Sequence, residues 1–373
     1  MIQNKRLIVF NGLSANHFIR LGQAKVFQAI GYKLYFYDQE SKESIIDVFN
    51  KFKPTTIMLG SYQIDRPLMK ALKACENIEI ILWCPNWDNK IYFENNDIQE
   101  IDTVNDGVLI ANEQEKRWVE ELVKLHNIKY CFVAYTQKWA NRTNGGWREI
   151  GLEPIGIPLA ADLYDYALGE YDEKLKSDIA WVGGWWDYKA VNMKKYLLPL
   201  CNQDLNVKLF GYGNYPVAQH LGPIDTQHVK NLYYSAKICP SVFEPLVKYG
   251  FDVSERIYKI LSSGGFCISQ YCESLEEIFI NDEIVVSCDQ EEFFEQVRNF
   301  LDNPEETMRY RLRGIEYAYS NGNYFSRIRD IMSYLGKIDD TINLNNIIKQ
   351  NSNIIPDMQS RIKNDQTSNL FKR

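Results

Sequence analysis

Short apolar runs that end in glycine or polar turns, each followed by apolar residues at helical spacing, recur in two series along this chain. That alternation limits its fold more than any other feature. Residues 5–12 read as a strand ending in a turn, and 16–30 carry Phe18, Leu21, Ala24, Phe27 and Ile30 at helical spacing. Strands at 31–38, 55–60, 79–84, 107–111 and 129–133 follow, separated by helices at 44–52, 66–75 and 113–126. A second series starts after the stretch Pro154-Ile155-Gly156-Ile157-Pro158, whose glycine and proline content suits an interdomain link. Its strands fall at 177–182, 206–211, 237–241, 265–269 and 283–287, with helices at 189–200, 226–235, 255–262, 276–279, 290–302 and 304–314. Strands and helices in this order imply parallel β-α-β units with right-handed crossovers. The expected fold is α/β, with two Rossmann-like, doubly wound parallel-sheet domains at 1–158 and 159–336 facing a central cleft. A late helix and polar tail, asparagine- and lysine-rich, follow at 337–373. A length of 373 residues fits two cores rather than one.

Bulk properties narrow the function classes. The formal net charge is −7 and no long Lys/Arg run precedes the tail, which disfavours a surface that coats nucleic acid, although a local basic groove stays open. The apolar run near the N-terminus is too short for a signal peptide and no stretch reaches about 18 apolar residues, so no membrane span is expected and the chain reads as cytoplasmic. Its eight cysteines form no C-x-x-C pair and read as reduced, mostly buried thiols. The four histidines include no closely spaced pair, and no metal site is expected. The 24 Tyr and 8 Trp offer flat faces for sugars or bases, with core packing as the competing reason for them.

In doubly wound sheets ligands collect beyond the carboxyl ends of the strands. Gly183-Gly184, after a buried strand and before a helix, permits close backbone approach to phosphate oxygens, though a Gly-Gly pair alone is more often a tight turn. The first turn, Asn11-Gly12-Leu13-Ser14-Ala15-Asn16, has no spaced glycine triplet, which disfavours a nicotinamide cofactor and hydride transfer. Lys189 stands where a cation can reach a diphosphate, or is simply an exposed helical lysine. Asp88, just past the fourth strand with Trp83 and Trp87 before it, is a candidate for removing a proton, with turn capping as the rival account. His17 in the first strand-to-helix turn is the other candidate base, against a capping or packing role.

The stretch 255–269, Glu-Arg-Ile-Tyr-Lys-Ile-Leu-Ser-Ser-Gly-Gly-Phe-Cys-Ile-Ser, is followed by Leu275-Glu276-Glu277-Ile278-Phe279 and Glu283-Ile284-Val285-Val286. It resembles the C-terminal domain of GT-B glycosyltransferases, in the group 1 set that includes CgeB-like spore-maturation proteins. Trp181-Val182-Gly183-Gly184, Leu209-Phe210-Gly211-Tyr212-Gly213 and Leu221-Gly222-Pro223 fall in the family's order. The likeness spans roughly 178–332, and over the N-terminal half it is one of layout only. It implies a glycosyltransferase that moves a sugar from a nucleotide-diphosphate sugar to a glycan or other hydroxyl acceptor, with the donor in the C-terminal domain and no cofactor. The family arginine that faces the donor diphosphate corresponds to Arg256, and the donor set extends to Gly211 and Tyr212. The family glutamate that bonds the donor ribose is replaced by Lys259, which can donate to a hydroxyl but cannot accept from one. Glu244 and Glu255 are the nearby carboxylates that can take over. No Asp-x-Asp occurs, and Arg256, Lys189, Lys259 and helix-start amides offer positive groups for a leaving diphosphate without a metal. Two rival readings remain: a DNA-modifying glucosyltransferase, and a non-catalytic nucleotide- or carbohydrate-binding protein of the same fold.

Overall fold

The computed structural model describes residues 5–12, 15–251 and 253–365. Leu13 and Ser14 of the first turn and the last residues of the tail, 366–373, lie outside them. The chain divides into two compact units, one of Met1–Pro158 with Ile328–Leu344 and one of Leu159–Arg327 with Asn345–Arg373.

Eight strands build the first unit: β1 (Arg6–Phe10), β2 (Lys33–Tyr37), β3 (Thr56–Gly60), β4 (Glu79–Trp83), β5 (Lys90–Tyr92), β6 (Ile98–Glu100), β7 (Tyr130–Val133) and β8 (Glu153–Gly156). Six of them form a parallel sheet in the order β2-β1-β3-β4-β7-β8, so the winding reverses between β1 and β3. Helices cover the sheet, which is why β1 and β3 read as continuous apolar runs and are buried almost throughout. Helix Arg66–Lys73 starts where the Asp65 carboxylate accepts from the Leu68 amide at 2.8 Å, with a proline in its first turn. Helix Glu113–His126 is capped the same way by Asn112.

Two local expectations give way here. Residues 107–111 do not form a strand; Gly107, at φ 66°, ends a short helix Thr103–Asp106, and only Ile110 makes a bridge, to Asn86. The chain instead spends 90–100 on the antiparallel hairpin β5–β6. The Pro154–Pro158 stretch is largely β8, an edge strand where a proline without an N–H is tolerated.

The second unit holds β9 (Ser177–Val182), β10 (Val207–Phe210), β11 (Ala236–Ser241), β12 (Cys267–Gln270) and β13 (Val285–Ser287). They pair in parallel in the order β10-β9-β11-β12-β13, which places the reversal between β9 and β11. Helix Glu255–Ser262 packs its Leu261 side against helix Pro304–Ser320, where Gly314 allows close approach: a β-carbon there would lie 2.7 Å from Leu261. Arg311 on that helix is fully buried and donates to the carbonyls of Gly264 at 2.7 Å and Tyr234 at 2.6 Å. Its guanidinium supplies donors that backbone geometry leaves missing at the strand starts. In place of one late helix and a loose tail there are two helices, Ile338–Asn353 and Ile355–Asp365, because Leu344, Ile348, Ile355 and Ile362 recur at spacings that bury them. Among the described residues no helix is long and apolar enough to cross a membrane.

Candidate functional site

The winding of the second sheet reverses between β9 and β11, and Arg256 lies at the carboxyl ends of these two strands. Helix Glu255–Ser262 begins there because Ser254 caps it, its hydroxyl accepting from the Arg256 amide at 3.3 Å. The Arg256 Nε donates to the carbonyl of Val182, at the end of β9, at 3.0 Å. Its Nη1 donates to the carbonyl of Val242, just past β11, at 3.3 Å. The guanidinium lies 3.9 Å from the Trp181 ring centroid, a cation–π contact in a site that leaves the residue 9% exposed. Burial pushes its pKa down from the ordinary arginine value. Among the described residues no carboxylate is ion-paired with it. A desolvated cation hydrogen-bonded to carbonyls and stacked on a ring, at the edge where such sheets bind ligands, can receive an anion.

The glycines converge on it. A β-carbon on Gly183 would stand 3.0 Å from Arg256 Nη2, and one on Gly184 would run into the Trp186 ring at 2.3 Å. Gly211 has φ 142°, and a β-carbon there would meet the Gly183 carbonyl oxygen at 1.6 Å, so no other residue fits. The two turns are laced by Gly183 N–H to Phe210 O at 2.9 Å and Trp185 N–H to Tyr212 O at 2.7 Å. Lys189 is buried rather than exposed, with Nζ 4.6 Å from the Trp186 ring centroid and 3.9 Å from Glu244 Oε1. Tyr212 lends its carbonyl to the turn and leaves its ring 79% exposed beside it. Gly183, Gly184, Lys189, Gly211, Tyr212, Glu244 and Arg256 thus share one edge.

Glu255 and Lys259 belong to another neighbourhood. The Lys259 ammonium is 2.5 Å from Glu255 Oε2, one helical turn back, and 4.6 Å from the Tyr166 ring centroid. Tyr324 donates its hydroxyl to Glu255 Oε1 at 2.7 Å. Burial works against the lysine's charge, but Glu255 and then Tyr166 more than offset it, and its pKa is raised. Lys259 is therefore spoken for by a carboxylate of its own helix.

In the first unit, Asp88 is half-buried and closes a turn: Oδ1 accepts from the Lys90 amide at 2.9 Å and Oδ2 from the Tyr92 hydroxyl at 2.7 Å. That bond raises the Tyr92 pKa to about 12. His17 is exposed on helix Ala15–Ala29 and meets Phe18 edge-on at 5.6 Å.

Sequence reasoning missed Trp181, Tyr215 and His220. Tyr215 donates its hydroxyl to the Gly183 carbonyl at 2.6 Å and accepts from Trp181 Nε1 at 3.1 Å. His220 Nε2 lies 3.0 Å from the Gly211 carbonyl, and its ring stacks on Tyr215 with centroids 4.3 Å apart. Only Trp181 carried a visible signal, as the aromatic residue two places before Gly183; the other two reach the site through a loop.

Residues 194–333 match a family model described as glycosyl transferase-like. Among solved structures, a glycosyltransferase from Rickettsia africae is similar with a TM-score of 0.60 at 11% identity, over 90% of this chain and 99% of that one. Anabaena HepE in complex with UDP gives 0.56 at 8% identity, over 89% of this chain and 100% of its own. The DNA-modifying β-glucosyltransferase of phage T4, solved with and without uridine diphosphoglucose, gives 0.52 at 11% identity over 96% and 98%. Among curated protein sequences none matches the chain. The two units have the GT-B fold, and the stretch that matches the glycosyl transferase-like model, residues 194–333, lies mostly in the second of them.

Proposed function

We propose that the chain is a glycosyltransferase that binds a nucleotide-diphosphate sugar in its second unit and transfers the sugar to a hydroxyl acceptor, a glycan being the favoured class. The observation that carries this reading is Arg256: a buried guanidinium without a carboxylate partner among the described residues, set between the ends of β9 and β11 beside Gly183. As the glycosidic bond to the nucleotide breaks, negative charge grows on the departing diphosphate. Arg256, with Lys189 close by, meets that charge, and the glycines keep side chains out of its way. This division of labour calls for no metal at the diphosphate. Glu244, which faces Lys189, is the carboxylate proposed to accept from the donor's hydroxyls, since Glu255 is engaged by Lys259 and Tyr324. Asp88 is the proposed acceptor base, with lone pairs remaining beyond the two bonds that hold it.

A thermal-shift series with nucleoside diphosphates and their sugars tests the reading. A ligand bound only by the native state at about 100 times its Kd stabilises by about 2.7 kcal/mol, an increase of several degrees in Tm. The reading expects such a shift with at least one nucleoside diphosphate and its loss in Arg256→Lys, which keeps the charge but not the planar fork. No shift with any of them contradicts it. Binding without release of sugar from any donor would instead favour the non-catalytic relative of the same fold. Salt-sensitive binding to duplex DNA would favour the DNA-modifying one.

A further inference from the structure

We infer that His220 and Tyr215 form a clasp that holds the two glycine turns in the shape a diphosphate requires, which makes them positioning residues for the donor. This rests on the reading of the second unit as the donor site.

A β-carbon on Gly211 would strike the Gly183 carbonyl, and one on Gly183 would crowd Arg256 and Trp181, so neither turn has room for a side chain. Each also has a carbonyl that must be kept turned away from an incoming anion. Tyr215 and His220 do this one apiece. The tyrosine hydroxyl takes the Gly183 carbonyl at 2.6 Å, and the histidine Nε2, which must carry its proton to donate there, takes the Gly211 carbonyl at 3.0 Å. The two rings stack with an interplanar angle of 24°, so the carbonyls are restrained by one rigid block rather than by separate arms.

The block is anchored on both sides. Backbone bonds run from Leu209 N–H to Gln219 O at 3.1 Å and from Leu221 N–H to Leu209 O at 2.9 Å, and they fix residues 219–221 along the open edge of β10. Trp181 Nε1 donates to the Tyr215 hydroxyl at 3.1 Å, and the same indole carries the Arg256 guanidinium 3.9 Å above its ring. A donor oxygen that reaches Arg256 therefore meets glycine turns whose carbonyls are already occupied. Without the clasp those carbonyls are free to rotate toward the anion, and donor affinity falls although no ligand contact has been removed.

The test measures UDP binding by titration calorimetry, the KM and kcat for a UDP-sugar, and Tm, in wild type, His220→Ala, His220→Gln, Tyr215→Phe and the double variant His220→Ala/Tyr215→Phe. Gln can present an amide N–H near the imidazole Nε2 position. The expected result is a loss of UDP affinity of about tenfold in His220→Ala and in Tyr215→Phe, the size of one lost hydrogen bond. KM for the donor rises while kcat changes little, His220→Gln recovers most of the affinity, and the double variant loses less than the product of the two single losses. Tyr215→Phe keeps the ring and the packing, so it reads the clasp even if His220→Ala proves poorly folded. Wild-type affinity for UDP in both His220→Ala and Tyr215→Phe overturns the clasp while leaving the donor site standing. Equal losses in the Gln and Ala variants, tracking Tm alone, overturn it as well, because they reduce the histidine to packing. A wild-type protein that binds no nucleoside diphosphate at all overturns the donor reading and the clasp together.

Discussion

A single arginine decides how the second unit is read, because its chemistry leaves few other uses. Arg256 is nine-tenths buried and stacked on Trp181, and its desolvation outweighs the charge of Glu244, with which it forms no ion pair among the described residues. Structural arginines of comparable burial do occur in this protein, and Arg311 shows what one looks like: its donors are spent on the carbonyls of Gly264, Tyr234 and Ala236 near the strand starts. Arg256 instead sits at strand ends, with Nη2 toward Gly183. On the acceptor side, Asp88 carries a sharper test. Asparagine preserves an acceptor for the Lys90 amide but cannot take a proton. Asp88→Asn is expected to lower kcat about 100-fold or more with donor KM nearly unchanged. A normal kcat with a lowered Tm makes Asp88 a turn residue only.

Helix Glu255–Ser262 shows how one element serves two ends. Its first turn carries Arg256 toward the ends of β9 and β11, and a neighbouring side buries the Glu255–Lys259 pair against Tyr166 and Tyr324. Lys259→Met leaves Glu255 buried without its cation and is expected to destabilise the fold by about 3–5 kcal/mol near neutral pH. The pH dependence has a definite sign. The folded-state pKa of Lys259 lies above its ordinary value of 10.5, so the pair's contribution is complete below that value and fades as pH rises through the folded one. The Tm gap between wild type and Lys259→Met should therefore hold up to about pH 10 and narrow above it; a gap that widens with alkali contradicts the assignment. This helix was legible in advance from its apolar spacing, whereas Arg256 was singled out only by the family resemblance. The pairing of Lys259 with Glu255 was legible only as an i, i+4 spacing, whereas its contact with Tyr166 spans most of the unit in sequence. The hairpin β5–β6 was not legible, because three-residue strands with one buried face, centred on Ile91, leave too short a period to separate from a loop. Nor was β8, where a proline in an edge strand looks like a linker residue. His220 and Tyr215 were invisible as site residues because nothing local says that a loop after β10 folds back along that strand.

At the scale of the molecule, the parallel order of both sheets follows from the alternation of apolar strands and helices, and the GT-B fold, which the family resemblance implied, is shown by the likeness to solved glycosyltransferases. Fold does not choose a sugar, a nucleotide or an acceptor. What the whole chain adds is its charge: a net −7 gives no general attraction for polyphosphate, so the proposed donor site depends on local positive groups such as the buried arginine. The return of Ile328–Leu344 to the first unit, after the chain has built the second, was hidden in the sequence by helices that read alike on either side of the crossing. The account stands or falls on donor turnover. With the nucleotide sugar that best stabilises the wild-type protein, kcat/KM for Arg256→Ala, measured with and without EDTA, should fall by at least about 100-fold, and chelation should leave the wild-type rate unchanged. Turnover by a folded Arg256→Ala protein at the wild-type rate would contradict it.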